Sequence, residues 1–411
     1  MSSDSELNIL FITENFPPEV NAPATRGYEH CLEWVKQGAR VVVLTCVPNF
    51  PQGKIYQGYK NKLYQTEFVE GIQVVRVWSY ITANEGFVRR CFDYMSFAIS
   101  SGIFGLLHKT DLILTTSPQF FVNFTGFSLA KLKRKPWIFE LRDLWPESIK
   151  ALGAIKNDRL ISVLEKAELF FYRSASKVVA VSPAFKKNLV ERGINEDKIS
   201  VIPNGANLTL FSRDQTDGEL KKRLSLENKF IVSYIGTHGM AHNLTFIVRC
   251  ISQIKDQGIH FLFIGDGAEK QRILQVSRDL RLENATFLDP IPKNAVPEYL
   301  SISDVSLVPL KKAETFKTVI PSKIFESSAM RVPLLLGVDG QAREIVEDFK
   351  AGLYFEPENC RSFIQAVYKF IEDKQMYSCF QHGCKQLAEF YDRKRLALEM
   401  LSIMQQVKTV N

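Results

Sequence analysis

A chain of 411 residues is too long for a single core, and at roughly 100–200 residues per domain it asks for two or three. Its composition, 45% hydrophobic, 24% charged and 11% aromatic, excludes a disordered, collagenous or disulfide-scaffold chain. Fifty-two basic against forty-five acidic residues leave a net charge of +7, which permits an anionic partner without demanding one and gives no reason to expect nucleic acid.

Short apolar, β-branched runs alternate with amphipathic stretches from end to end, the pattern of parallel strands joined by crossover helices. In chain order the expected strands are 7–13, 40–45, 72–78, 111–117, 136–143, 177–182 and 198–203, then 230–236, 260–265, 285–290, 304–310, 333–338 and 352–357. The run Ile202-Pro203-Asn204-Gly205, followed by a polar stretch from Ser212 to Glu219, marks the seam. The expected fold is α/β, with two doubly wound, Rossmann-like domains at 1–205 and 206–390. In such sheets ligands bind beyond the carboxyl ends of the strands, so a cleft between the halves, lined by strand-to-helix loops, is expected.

The segment Met1 to Glu6 is polar and acidic, and the apolar run Leu7 to Thr13 is too short, and lacks the basic flank, for a signal peptide; a cytoplasmic protein is expected. Seven scattered cysteines without a Cys-x-x-Cys suit a reducing compartment. Cys379, His382 and Cys384 cluster without a second ligand pair, so no metal is expected there.

Four loops carry the chemistry. The first, 13–30, is stiffened by Pro17, Pro18 and Pro23 and holds one cation, Arg26, read either as an acceptor ligand or as a solvated arginine. Strand 136–143 ends in Glu140, Arg142, Asp143 and then Glu147, charges hard to explain as core: Arg142 suits a phosphate, and Asp143 or Glu147 a hydroxyl proton. Strand 260–265 runs into Gly265-Asp266-Gly267, which suits a flat ligand such as a base but is also a common tight turn. Pro321 and Ser322 open a helix whose exposed backbone N–H groups favour an anion. Lys323 in its first turn opposes the helix dipole, which points to service of a bound anion, and Glu326 is not a capping-box residue because that position is Phe325.

Between Arg89-Arg90 and Lys109 the uncharged stretch Tyr94 to Leu107 is fourteen residues, too short to span a bilayer that needs about 20. It reads equally as a buried helix or as an interfacial one, with Phe97 and Ile103 toward lipid and Arg89, Arg90, Lys131, Lys133, Arg134 and Lys135 near anionic headgroups.

Taken together these segments resemble glycosyltransferase family 4, the retaining, metal-independent nucleotide-sugar transferases of GT-B fold. The resemblance is carried by ENFPPEVNAPATRGYEHCLEWVKQGARVVVLT, Val201-Ile202-Pro203-Asn204-Gly205, Gly265-Asp266-Gly267 and PSKIFESSAMRVPLLLGVDGQAREIV. RDLWPES and YIGTHGMAHN are similar to the bacterial O-antigen and capsule subgroup typified by the N-acetyl-L-fucosamine transferase WbuB.

The resemblance implies that Glu326 holds the nucleotide ribose, that Gly265, Asp266 and Gly267 bind the base, and that Arg142 and Asp143 stand beside the donor sugar. Thr318 replaces the glutamate eight residues before Glu326. The run Gly236-Thr237-His238-Gly239-Met240-Ala241-His242 replaces the Arg and Lys of many members, which leaves the diphosphate to backbone N–H groups, His238, Ser322 and Lys323. Asn21-Ala22-Pro23-Ala24 stands in place of the usual double glycine. No Asp-x-Asp triplet occurs, in keeping with a metal-free site and no cofactor.

The implied partners are a nucleotide sugar, a lipid-linked saccharide acceptor and the inner face of the membrane, with a C-terminal helix, 391–411, packed back onto the first domain. The competing readings are a nucleotide-sugar 2-epimerase of the same architecture and a non-catalytic nucleotide-sugar-binding protein.

Overall fold

The computed structural model of the chain describes residues 6–50, 52–82, 87–117, 120–144, 157–213 and 219–410. Two units result, Met1–Pro203 with Arg393–Asn411, and Asn204–Asp392. The seam therefore falls after Pro203 rather than after 205, and the chain rejoins the first unit at Arg393.

The first unit is built on strands β1 (Asn8–Ile12), β2 (Arg40–Thr45), β3 (Tyr64–Val69), β4 (Ile72–Val77), β5 (Leu112–Thr116), β6 (Trp137–Leu141), β7 (Lys177–Ala180) and β8 (Ile199–Val201), in the order β3-β4-β2-β1-β5-β6-β7-β8. Every pairing is parallel except β3 with β4. Alternation divides the strand residues between two cores. Leu10, Ile12, Ile113 and Phe139 pack on one face, with Phe97, Leu129 and Phe171 from the helices Phe87–Gly105, Val122–Lys133 and Asp158–Ser174. Ile9, Phe11, Val43, Leu112 and Leu114 pack on the other, with Trp34 of helix Ala22–Lys36 and Leu396, Met400 and Met404 of helix Arg393–Val410. With both faces covered, the strands are buried along their whole length, as β5 and β6 are. The Trp34 indole N–H donates to the Ala397 carbonyl at 2.8 Å, fixing the returning helix.

In the second unit the sheet runs β11-β10-β9-β12-β13-β14, all parallel, from β9 (Phe230–Ile235), β10 (Ile259–Ile264), β11 (Ala285–Leu288), β12 (Val305–Pro309), β13 (Leu334–Gly337) and β14 (Gly352–Tyr354). The strand order reverses between β1 and β5 in the first unit and between β9 and β12 in the second, and the crevice beyond the carboxyl ends at such a reversal is where doubly wound sheets place ligands.

Candidate active site

In the second unit, the loops leaving β9 and β10 lock into each other. Gly236 donates to the Ile264 carbonyl at 2.8 Å, His238 to the Asp266 carbonyl at 2.8 Å, and Glu269 returns to the His238 carbonyl at 2.9 Å. Gly265, at φ +143°, is required by this closeness, since a Cβ there would stand 1.9 Å from the Gly236 carbonyl oxygen. Lys270, buried, pins the same loop by donating from Nζ to the Gly265 and Leu288 carbonyls at 2.7 and 2.6 Å. Asp266 is exposed and accepts the N–H of Gly267 at 2.8 Å.

Lys323 opens the seven-residue helix Lys323–Ala329. Its ammonium lies 4.4 Å from the centre of the Tyr234 ring and 3.3 Å from the Tyr234 hydroxyl, which itself donates to the Thr237 carbonyl. Gly236 makes room for it, because a Cβ there would be 2.7 Å from Nζ. Burial lowers Lys323 to about 8 against the opposing pull of Glu326. Glu326, buried, accepts from Lys293 Nζ at 2.5 Å. Ser322 is exposed at the N-cap position, and its hydroxyl makes no capping hydrogen bond.

The rings of His238 and His242 lie 5.7 and 5.9 Å from that of Tyr234. Burial, then Lys270, pushes His238 down to about 4, with Asp266 opposing; burial, then Lys323, does the same to His242. At neutral pH the site therefore presents two neutral imidazoles and a largely protonated ammonium. Such preorganised donors suit an anion whose charge grows as a bond breaks.

In the first unit, Arg142 and Asp143 follow β6, and both backbone N–H groups donate to the Ser117 hydroxyl, at 2.7 and 3.2 Å. The Arg142 side chain is half-buried and donates no hydrogen bond among the described residues. Burial pushes it down to about 10, with Glu140 opposing.

Arg26 requires correction. It lies on helix Ala22–Lys36, which starts at Asn21 rather than continuing a loop to 30, and it is 2% exposed. Its Nε donates to Glu140 Oε1 at 2.9 Å, Nη1 to the Pro203 carbonyl at 2.6 Å and Nη2 to the Ile202 carbonyl at 2.9 Å. Buried, and with a donor from each of its three nitrogens held by Glu140, Pro203 and Ile202, it is a structural arginine rather than an acceptor ligand. Glu147 lies outside the described residues.

The membrane assignments divide. Phe97 is fully buried in the core and cannot face lipid. Ile103, with Phe92, Met95, Ile99, Leu106 and Leu107, is exposed on the opposite side of its helix, as are Phe124 and Leu132 on the neighbouring one. Between the two helices runs a groove of about 520 Å³. Arg89, Arg90, Lys131 and Arg134 are exposed on the same two helices or at their ends, whereas Lys133 is turned inward, its ammonium on the Leu106 and His108 carbonyls at 3.0 and 2.8 Å, and Lys135 is half-buried 3.9 Å from Asp111. No described helix is long and apolar enough to cross a membrane.

Tyr234, Lys270, Lys293 and His242 were not assignable from the sequence. Tyr234 sits inside an apolar strand, and the two lysines read as solvated helix or loop charges until the fold brings them to Gly265 and Glu326.

Residues 22–205 match the family described as Glycosyl transferase 4-like domain, and residues 216–386 match Glycosyl transferases group 1. The putative colanic acid biosynthesis glycosyl transferase WcaI of Escherichia coli K12 is 24% identical over 376 residues, covering 88% of this chain and 91% of that one. The UDP-Gal:alpha-D-GlcNAc-diphosphoundecaprenol alpha-1,3-galactosyltransferase of E. coli is 24% identical over 54% of this chain and 58% of its own. Among solved structures, Anabaena HepE in complex with UDP-glucose superposes with a TM-score of 0.68 at 15% identity, over 98% of this chain and 100% of that one. The two family matches between them run through both units, and the chain belongs to the group 1 glycosyltransferases, with the two Rossmann-like domains of the GT-B fold.

Proposed function

We propose that the protein transfers an N-acetylated hexose or deoxyhexose, such as N-acetylfucosamine, from a UDP-sugar to an undecaprenyl-diphosphate-linked saccharide, with retention of anomeric configuration, in the synthesis of an O-antigen, capsule or related polysaccharide. The observation that carries this reading is the placement of Lys323 beneath the Gly236 loop, where its ammonium and two imidazoles gather around the Tyr234 ring and Glu326 is already engaged by Lys293. The relatives' names support the polysaccharide setting and the lipid-linked acceptor, and the UDP-glucose complex supports uracil.

In this reading the bond from the anomeric carbon to the β-phosphate oxygen breaks on the face where the acceptor arrives. Lys323 and the N–H groups stabilise the departing diphosphate, so no divalent metal is needed. The acceptor hydroxyl attacks the oxocarbenium-like centre and passes its proton to the leaving phosphate. Asp143, anchored through Ser117, orients sugar or acceptor, Arg142 supplies a positive charge beside them, and Gly265 to Gly267 take the base, with Glu326 at the ribose. The exposed apolar faces of helices Phe87–Gly105 and Val122–Lys133, with Arg89, Arg90, Lys131 and Arg134, support peripheral attachment to the inner face of the cell membrane.

Incubation with a panel of UDP-sugars, with and without lipid-linked N-acetylglucosamine, tests this, followed by mass spectrometry of the lipid product. UDP release that depends on the acceptor, with a mass gain of one sugar, is expected. Sugar conversion without acceptor would mark an epimerase instead, and binding without turnover a non-catalytic protein.

A further inference from the structure

Three basic side chains from two segments ring the Tyr234 phenol: His238 and His242 from the loop after β9, and Lys323 from its own helix. The groups that face them are few. His238 faces Lys270 from helix Lys270–Asp279, Asp266 from the loop after β10, and Lys323; His242 faces Lys323, His238 and the Gly239 backbone. Of the carboxylates nearby, Asp266 is exposed and turned onto the N–H of Gly267, and Glu326 is taken by Lys293.

The polar atoms are also left idle. His238 is fully buried, and neither ring nitrogen has a hydrogen-bond partner; Nδ1 of His242 is buried in the same condition. Buried polar groups are ordinarily paired, and an unpaired set beside an unneutralised ammonium marks a place for an acceptor of negative charge. His242 is fixed there from both sides: the Ala241 carbonyl takes the N–H of Lys311 at 2.8 Å, and Asn243, at φ +48°, donates from Nδ2 to Glu358 at 2.9 Å.

We propose that His242 is a phosphate ligand of the donor site and gains a proton from solution when the diphosphate binds, with Lys323 as the charge already present below pH 7 and His238 as a second, more deeply buried imidazole beside them. This rests on the donor-site reading above. In the empty site an imidazolium next to Lys323 is repelled and desolvated, so the ring stays neutral; a diphosphate reverses the sign of its surroundings and makes the charged form the favoured one. One proton moves from buffer to imidazole per ligand, and no covalent bond changes. The depressed titration of both histidines fits this account. Donor affinity is then linked to pH, rising toward the acid side and flattening toward alkali.

The test is calorimetric titration of the full chain with UDP-N-acetylglucosamine, whose diphosphate has no proton to gain or lose in the range used, between pH 5.5 and 7. Two buffers of different ionisation enthalpy give the proton count, and this range stays below the titration of Lys323. We expect up to one proton taken up per ligand, and an affinity that rises as pH falls by at most about tenfold per unit. H242Q should lose the uptake and bind about tenfold more weakly at pH 6, and H242K should restore affinity without uptake. Equal affinity and equal uptake in H242Q and the parent overturn the proposal, as does a folded H242Q whose lost affinity H242K does not restore. Absence of binding by the parent, with UDP as well as the UDP-sugar, overturns the donor-site reading itself.

Discussion

Arg26 and Glu140 stand 114 residues apart in the chain and meet at 2.9 Å, with side-chain exposures of only 3% and 6%. Thr116 adds a hydroxyl donor to the other carboxylate oxygen at 2.7 Å, and the Pro203 and Ile202 carbonyls accept from Nη1 and Nη2 of the guanidinium. The pair ties β6 to helix Ala22–Lys36 and to the last residues of the unit. Removing one partner strands the other charge in the interior, at a cost of about 3–5 kcal/mol.

R26M should therefore lower the unfolding free energy of the first unit by about that amount. Tryptophan emission is a clean probe, since Trp34, Trp78, Trp137 and Trp145 all precede the seam. If R26M instead unfolds like the parent and only raises the acceptor KM, the structural assignment of Arg26 fails.

His30 and Glu140 each take stability from the same unit as pH falls, in two separate windows. Asp93, raised by burial to about 7, and Glu14, also raised by burial, act in the opposite sense. Burial, then Arg26, holds the His30 imidazole well below its ordinary value. The unfolded chain thus binds that proton first, and the contribution of His30 to stability falls as pH drops below about 6.5. Burial pushes Glu140 up, but Arg26, Arg142 and Thr116 outweigh it and hold the carboxyl low. Its contribution is present above the unfolded value near 4.3 and is lost only as pH falls through the lower folded one. H30L should remove the destabilising share, so that its urea midpoint falls less, or rises more, than the parent's between about pH 6.5 and 5, while the loss below about pH 4 is kept; the same slope in variant and parent in the upper window would exclude His30.

Lys323 separates stability from activity. Its ammonium titrates near 8 in the folded chain, below the unfolded value near 10.5, so folding disfavours its charge throughout the neutral range and stability rises with pH between the two. K323M should be no less stable than the parent at pH 7, yet lose about 10²–10³ in turnover as a diphosphate donor is removed. Parent activity should decline above about pH 8 as the amine deprotonates. Near-parental turnover in a folded K323M would remove Lys323 from the diphosphate.

The sheets were legible because their strands are apolar on both faces, and each of the thirteen expected runs contains a strand. The fourteenth, β3, was not: YQTEFV alternates Gln65 and Glu67 with Tyr64 and Phe68 at an edge, half in water, and pairs antiparallel with β4 across Glu70-Gly71. Glycine and the helix start revealed Gly265 and Lys323, because backbone geometry is written in residue type. Arg26 misled because its loop position was inferred from three prolines, whereas Asn21 caps a helix there by accepting the Ala24 N–H at 2.9 Å. Once helical, positions 26, 30 and 34 share one buried face. Tyr234 and His242 had no such local mark; only the meeting of β9, β10 and the Lys323 helix gives them a role.

The helix Phe87–Gly105 offers a last test, because its two faces make opposite predictions. Phe97 is fully buried beneath it, so F97A should cost about 3–5 kcal/mol of stability through the cavity it leaves. Ile99 and Ile103, 59% and 58% exposed, and Leu106, 47% exposed, support nothing inside the unit. If that face enters a membrane interface, each half-inserted side chain contributes roughly 1 kcal/mol, so I99S/I103S/L106S should weaken binding to phosphatidylglycerol vesicles by about two orders of magnitude with an unchanged melting temperature. K131S with R134S should act differently, reducing binding at low ionic strength and little at high salt, since exposed charges are screened beyond about 10 Å at 0.1 M. Co-sedimentation reads both. A parent protein that stays in the supernatant at low salt, or a triple serine variant that pellets as well as the parent, would mean that this apolar face is not a lipid-binding surface.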